Sequence, residues 1–216
     1  MRLCETILED IAPIRNNRSY YTQYMEDLTA IKDEELVARY IQGDNSAFVE
    51  IVNRYLKPIY NFTYRMCGNN KDAEEITQES FLKVWKHIEK FKQKEKFKTW
   101  IYTIARNTTI DWLRKKKSVL FSQFDNEDGG NSLEDNLVDT ELLPDEEFIR
   151  SENKKVVEGL FEQLPMHYRE VLFLHYNESL DFTEIDTVLE KSVNTIKSQH
   201  RRALILLRKE LAHAPK

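Results

Sequence analysis

Basic and aromatic side chains are concentrated in the stretch FKTWIYTIARNTTIDWLRKKK, residues 97–117, of a 216-residue chain whose formal net charge is -5. Trp100 and Trp112 lie in this stretch, and four consecutive cations, residues 114–117, end it. Cations bind nucleic-acid phosphates, and aromatic rings stack on unpaired bases. Two interpretations stay open: a surface for single-stranded nucleic acid, or an amphipathic helix with tryptophans in its core and solvated lysines.

Charge is strongly segregated along the rest of the chain. Residues 83–117 contain twelve Lys/Arg and three Asp/Glu, whereas residues 118–152 contain eleven Asp/Glu and one arginine. Residues 191–209 contain six Lys/Arg and no acid. This order predicts two surfaces for a polyanion, separated by a segment that repels polyanions or imitates them.

Catalytic and metal-binding patterns are missing from the sequence. The five histidines never stand at metal-ligand spacing, DNEDGG at 125–130 lacks the alternation of a calcium loop, and no Walker lysine loop or GxSxG occurs. We therefore expect no catalytic residue, no metal site, no cofactor and no enzymatic activity. Cys4 and Cys67 are far apart, which favours reduced thiols in the cytoplasm. No run approaches the ~18 apolar residues of a membrane span.

Hydrophobic periodicity predicts the helices that position the first basic stretch. We expect helices at about 33–42 (capped by Asp33), 47–66, 72–88 and 97–117, with Gly43 and Gly68 ending the first two. On a helical wheel, one sector of the last helix is apolar and predicts the buried face: Phe97, Trp100, Ile101, Ile104, Ala105, Thr108 and Trp112. Thr99, Thr103, Arg106 and Ile110 lie on the opposite face, which we expect to be solvated.

A second group of helices is predicted after residue 144. Pro144 and Pro165 stand at favoured helix starts, Asp181 with Glu184 forms a capping-box pattern, and Ser192 can cap a last helix over about 193–211. Two short helices joined by a tight turn, the second polar and basic, are typical of a helix-turn-helix, whose second helix enters the major groove. The alternative is a solvated helix face. The candidate DNA contacts are Asn194, Thr195, Lys197, Ser198, Arg201 and Arg202.

The predicted fold class is all-α, with two small helical domains joined by a flexible acidic linker. No strand pattern or internal repeat is found. We assign residues 1–24 to a poorly ordered extension, 25–117 to the first domain, 118–143 to the linker and 144–216 to the helix-turn-helix domain.

The motifs, taken together, resemble a known family. DEELVARYIQGDNSAFVEIVNRY, DAEEITQESFLKVW and FKTWIYTIARNTTIDWLRKKK resemble region 2 of sigma-70-type RNA polymerase sigma factors. LPMHYREVLFLHYNESLDFTEIDTVL and SVNTIKSQHRRALILLRKEL resemble region 4. Because nothing resembles region 3 between them, the chain is identified as similar to the extracytoplasmic-function (ECF) subfamily.

The resemblance implies a role for each basic segment and for the motif between residues 72 and 85. Residues that would dock on the clamp helices of the largest subunit of core RNA polymerase are Asp72, Glu75, Gln78, Glu79 and Trp85. Residues that would bind the −10 promoter element as an opened strand are Lys92, Lys96, Lys98, Thr99, Trp100, Arg106, Asn107, Arg114 and Lys115. The six helix-turn-helix candidates would read the −35 element.

The resemblance also implies partners and a path for the linker. These partners are core polymerase, including the flap of its second-largest subunit, promoter DNA, and an anti-sigma factor. The acidic linker would lie toward the active cleft and the RNA exit path of the polymerase. The protein would act in the cytoplasm, at transcription initiation, without inserting into a membrane itself.

Three positions depart from the family pattern in the helix-turn-helix. Asp186 replaces a small residue, and Glu190-Lys191 replaces a glycine and an aliphatic residue. A left-handed conformation at Glu190 would cost about 1 kcal/mol relative to glycine. We expect Asp186 to find a partner or to remain in water.

Two other classes of function remain as alternatives. The chain could be an autonomous helix-turn-helix regulator that binds duplex DNA alone, with residues 33–117 as a sensor or dimerisation domain. It could also be a helical adaptor that binds only protein. The lysine-rich aromatic segment and the acidic linker favour the sigma factor, because an autonomous regulator needs neither.

Overall fold

The computed structural model describes residues 28–92, 94–124, 159–161 and 163–213, and every regular element in those ranges is helical. The long helices of the described N-terminal half are α1 (Asp33–Ile41), α2 (Asn45–Cys67), α3 (Asn70–His87) and α4 (Phe97–Phe124). A 3₁₀ turn, Ile88–Lys90, follows α3. The predicted extension 1–24 lies outside the described residues.

The described part of the C-terminal half includes α5 (Met166–Leu172), α6 (Phe182–Leu189) and α7 (Val193–His213). A π-helical turn, Phe173–Asn177, extends α5 toward α6. The sequence predicts a helix over residues 148–164, and only its end is described, where residues 159–161 are helical. No helix within the described ranges is long and apolar enough to cross a membrane.

The starts and ends of α2 and α3 follow from side-chain caps and one glycine. Asp44 accepts a hydrogen bond from the Ser46 amide, and Asn69 accepts one from the Asp72 amide. Gly68 ends α2 in the left-handed conformation, with φ of 69°. The predicted termination by Gly68 is confirmed, and α3 begins two residues before the predicted start.

Asp33 does not cap α1, which corrects the prediction. The N-cap is Lys32, without a side-chain capping bond. The Asp33 carboxylate instead accepts hydrogen bonds from Arg54 and from the Tyr55 hydroxyl. Burial and the neighbouring Asp33 raise the pKa of Tyr55. Asp33 therefore joins α1 to α2 and helps to position α1 over the core.

Helix α4 differs from the prediction in length and in the extent of its buried surface. It continues to Phe124, seven residues beyond the predicted boundary at Lys117, and the rest of the predicted linker lies outside the described residues. Tyr102, Thr99 and Thr109 are buried although they lie outside the predicted apolar sector. The wheel assumed one buried face, whereas α4 is covered by α2 and α3 on one side and by α6 on another.

The two groups of helices share one hydrophobic core. Phe62 of α2 packs against Tyr102 of α4 and against Phe173 of the C-terminal half, with ring centroids 5.4 and 5.6 Å apart. The cluster of buried residues runs from Leu28 to Ile196 and includes Val171, Leu174 and Leu189. In this arrangement the N-terminal helices and the helix-turn-helix lie directly against each other.

Candidate nucleic-acid and polymerase interfaces

The polar face of α7 is open to solvent. All six candidate −35 residues are exposed there: Asn194, Thr195, Lys197, Ser198, Arg201 and Arg202. The opposite face is anchored by Ile196 and Ala203, which are fully buried. Because Ser192 accepts a hydrogen bond from the Thr195 amide, the first turn of α7 is fixed at the end where base contacts are expected.

The helix-turn-helix has a complete capping box at the start of α6 and a left-handed turn residue, Glu190, at its end. Asp181 accepts hydrogen bonds from the amides of Thr183 and Glu184, while Glu184 accepts one from the Asp181 amide, as the capping-box pattern predicts. Glu190 adopts the left-handed conformation, with φ of 53°, where the family usually has glycine. The conformation predicted from the turn is therefore present without glycine.

Asp186 stays at the surface of α6. Its carboxylate accepts a hydrogen bond from the Thr187 hydroxyl at 3.1 Å, and its carbonyl accepts one from the Lys191 amide at 3.2 Å. The helices consequently pack without burying an unpaired carboxylate.

An aromatic cluster, formed by His175, Tyr176, Phe182 and His200, lies beside α7. The His175 and Phe182 rings stack with centroids 4.8 Å apart, and the Tyr176 hydroxyl lies 3.0 Å from Nε2 of His200. Burial and the nearby His175 lower the pKa of His200, so that its neutral form is favoured. In the sequence, His200 is one of five histidines without metal-ligand spacing, and nothing there indicates this cluster.

Three candidate −10 cations on or before α4 contact carboxylates of the C-terminal half. The pairs are Lys96 Nζ to Glu184 Oε1 at 2.6 Å, Lys98 Nζ to Glu178 Oε2 at 3.1 Å and Arg106 Nε to Glu170 Oε1 at 3.4 Å. The hydrogen bond that Lys96 donates to Glu184 raises the pKa of Lys96. Sequence reasoning missed all three acids, because their partners are 64–88 residues away along the chain.

The other candidate −10 residues differ in their exposure. Lys92, Arg114 and Lys115 are exposed, and Asn107 is partly buried. Trp100 is partly buried against Phe91 and Phe97, with ring centroids 5.5 and 5.6 Å away. Thr99 is 8% exposed. Its side chain is therefore not open to a DNA strand in this arrangement.

The predicted polymerase-docking residues lie on one helix, α3. Glu75 and Gln78 are exposed, and Trp85 is 45% exposed, which is unusual for so large an apolar side chain. Glu79 pairs with Lys83 at 3.0 Å on the same helix. Asp72 accepts a hydrogen bond from Lys116 of α4 at 2.6 Å, so its carboxylate is already engaged.

The described residues define a helical protein of two modules, the second of which contains a helix-turn-helix. Residues 51–119 match Sigma-70 region 2, and residues 155–207 match Sigma-70, region 4. Two relatives that are more than 30% identical to this chain over about four fifths of its length show the family. The chain is 36% identical to the ECF RNA polymerase sigma factor SigW of Bacillus subtilis over 79% of this chain and 91% of that protein. It is 32% identical to the ECF RNA polymerase sigma-E factor of Haemophilus influenzae over 80% and 92%.

The chain therefore belongs to the ECF family of RNA polymerase sigma factors. Two solved structures share its fold at low identity. The sigma factor RpoE of Bartonella quintana, solved with the anti-sigma factor NepR, has a TM-score of 0.59 at 19% identity, over 76% of this chain and 96% of that one. CnrH, solved with the cytosolic domain of CnrY, has a TM-score of 0.60 at 18% identity, over 85% and 99%. Family membership confirms the resemblance inferred from the motifs.

Proposed function

We propose that this sigma factor reads its promoter with two separate surfaces, one on α4 and one on α7. The observation that carries the proposal is the exposure of all six −35 candidates on one face of a helix whose other face is buried. Arginine and lysine bind guanine edges, and serine and threonine bind bases or phosphates. Residues 144–216 supply this upstream contact, and residues 25–117 supply the downstream one.

The downstream surface combines cations with aromatic rings, as an opened strand requires. Lys92, Lys96, Lys98 and Arg106 supply positive charge, and Trp100 lies among them at the start of α4. Base stacking on an aromatic side chain contributes about 1–3 kcal/mol per base and tolerates any sequence. We assign Trp100 to capture of an unstacked −10 base, with Thr99 and Asn107 beside it and Arg114 and Lys115 on the adjoining backbone.

The polymerase-binding surface lies on α3. Trp85 offers an exposed apolar side chain, and Glu75, Gln78 and Glu79, about two to three turns earlier on the same helix, offer acceptors for a basic partner helix. Core RNA polymerase is the partner, through the clamp helices of its largest subunit, and the C-terminal half binds the flap of the second-largest subunit. The protein acts in the cytoplasm without catalysing a reaction, and an anti-sigma factor controls it.

Transcription by a defined mixture tests these roles. Purified protein is added to core polymerase on a promoter library, and initiation is compared with that of each component alone. We expect sequence-specific initiation only in the mixture. Tight, specific duplex binding by the free protein without an effect on polymerase would instead support an autonomous regulator. Binding to protein without either effect would support an adaptor.

A further inference from the structure

The contact between α4 and the C-terminal half matches cations to carboxylates one by one. Lys96, Lys98 and Arg106, all assigned above to the −10 surface, face Glu184, Glu178 and Glu170. Lys98 also donates to the carbonyl of Glu178 at 2.6 Å. Every pair joins the two halves of the chain, so the contact depends on their relative position.

The three carboxylates are largely withdrawn from water. Their side chains are 15%, 11% and 4% exposed for Glu184, Glu178 and Glu170. A carboxylate withdrawn from water is stable only when it is paired or hydrogen-bonded. The three acids are therefore built into the interface and are not part of a solvated face.

Carboxylate and phosphate oxygens accept the same charge-assisted hydrogen bonds from lysine and arginine. A cation held by a glutamate in this interface is not available to a DNA strand. The recognition face of α7 is different, because Lys197, Arg201 and Arg202 are exposed in the same arrangement. Three cations of the −10 surface are thus engaged, while the −35 surface stays open.

We propose that Glu170, Glu178 and Glu184 form an ionic lock that holds the C-terminal half over α4. In the locked chain the glutamates take the place of DNA phosphates, and the −10 strand is excluded until the two halves separate. The −35 surface stays accessible throughout. The exclusion of the −10 strand rests on the −10 role proposed for α4. The ionic contact between the two halves does not depend on that role.

The lock acts together with apolar packing. Phe173 of the C-terminal half contacts Phe62, and both are buried. Removal of charge should therefore shift the balance between closed and open chains without abolishing the closed one. The apparent affinity for a ligand of the open form rises in proportion to the open fraction.

The experiment uses the full chain with two fluorophores, at Lys57→Cys on α2 and Arg208→Cys on α7, after Cys4→Ser and Cys67→Ser. Both labelled positions are exposed. The lock variant is Glu178→Gln with Glu184→Gln, since glutamine keeps the shape and can still complete the capping box. The control is Glu74→Gln with Glu89→Gln, which changes the net charge equally at exposed sites. Energy transfer reports closure, and a fluorescent oligo(dT) of about 20 nucleotides reports strand binding.

We expect the lock variant to lose high-transfer molecules and to bind oligo(dT) about five- to tenfold more tightly, and the control to change by less than about twofold. Raising salt from about 0.05 to about 0.5 M should also open the wild-type chain, since its exposed pair at Lys96 is screened. This salt series tests the lock even if the lock variant fails to fold.

Two results would overturn the proposal in different ways. Equal transfer in wild type, lock variant and control, with no response to salt, would remove the lock. Loss of the high-transfer state without tighter oligo(dT) binding than in the control would remove the exclusion. If no chain bound oligo(dT) although transfer fell, the −10 role of α4 would fail with the exclusion, while the ionic contact would be supported.

Discussion

Nε of Arg106 lies 3.4 Å from Oε1 of Glu170, and both side chains are nearly buried between α4 and α5. The other oxygen of the same carboxylate lies 3.8 Å from Nζ of Lys191, in the turn of the helix-turn-helix. One carboxylate thus connects the predicted −10 helix with the turn before the recognition helix. Lys191, which departs from the family pattern, has a structural partner.

The first prediction concerns this buried pair. Arg106→Gln should lower the free energy of unfolding by roughly 2–3 kcal/mol, less than the about 3–5 kcal/mol of an isolated buried pair, because Lys191 remains near the carboxylate. Glu170→Gln removes the carboxylate that both cations share, and we expect it to cost roughly 3–5 kcal/mol. The double variant should lose about 1 kcal/mol less than the sum. Urea unfolding followed by circular dichroism measures all four chains. Strict additivity would show that the two groups are not coupled.

The second prediction concerns the turn at Glu190. Its φ of 53° is costly for a side chain with a Cβ, so Glu190→Gly should raise the free energy of unfolding by about 0.5–1 kcal/mol, after allowance for the freer unfolded chain. Glu190→Ala keeps the Cβ and serves as the control, for which no gain is expected. The same urea titration decides, and an equal gain in both variants would assign the effect to the lost charge.

The third prediction concerns acid sensitivity at the start of α6. Hydrogen bonds from Thr183 and from the Glu184 amide lower the pKa of Asp181 below its usual 3.8. A carboxyl whose pKa is lower in the folded chain stabilises it fully above the unfolded-state pKa, and this contribution disappears as pH falls through the folded-state value. Asp181→Ala should therefore lower the melting temperature at pH 7 by roughly 2–4 °C.

The difference between Asp181→Ala and wild type should shrink as pH falls below about 4. Thr187→Ala, at an exposed position six residues after Asp181 on the same helix, serves as a control. Thermal melts over a pH series measure both. A difference that stayed constant down to pH 2 would mean that the charge of Asp181 does not contribute.

Local signals in the sequence predicted most helix boundaries. Gly68, the Asp181–Glu184 capping box and Ser192 all form hydrogen bonds with groups at most four residues away. The spacing of these residues in the sequence is therefore enough to predict the helix ends. Asp33 misled the prediction because its partners, Arg54 and Tyr55, are on another helix. An aspartate that caps its own helix and an aspartate that binds a neighbouring helix have the same sequence pattern, since both stand next to a helix start.

The second buried side of α4 was not predictable from its own periodicity. A helical wheel identifies the most apolar sector, and Tyr102, Thr99 and Thr109 do not belong to it. Helix α4 packs against α6, about 80 residues further along the chain, as well as against α2 and α3, so that more than one of its sides is covered. The acids that face Lys98 and Arg106 were missed for the same reason, since nothing in the sequence indicates how the two halves dock.

The fourth prediction concerns upstream DNA recognition by α7. Arg202→Ala should weaken binding at a guanine contact by about 1–3 kcal/mol and reduce protection of the −35 element in a footprint of the complete polymerase. Arg208→Ala is the matched control, because Arg208 is an exposed arginine on the same helix, nearly two turns further along. An unchanged upstream footprint with Arg202→Ala would remove this residue from the recognition surface.

The fifth prediction separates two roles of Trp100. Its ring packs on Phe91 and Phe97, so Trp100→Ala should cost about 2 kcal/mol of stability as well as the proposed stacking on a −10 base. We expect polymerase binding to persist and permanganate reactivity of the opened promoter to fall several-fold. Trp112→Ala, a partly buried tryptophan on the same helix, controls for lost packing. Both tryptophans pack against the protein, but only Trp100 lies where we expect a −10 base to stack. An equal loss of strand opening in both variants would therefore make Trp100 a core residue only.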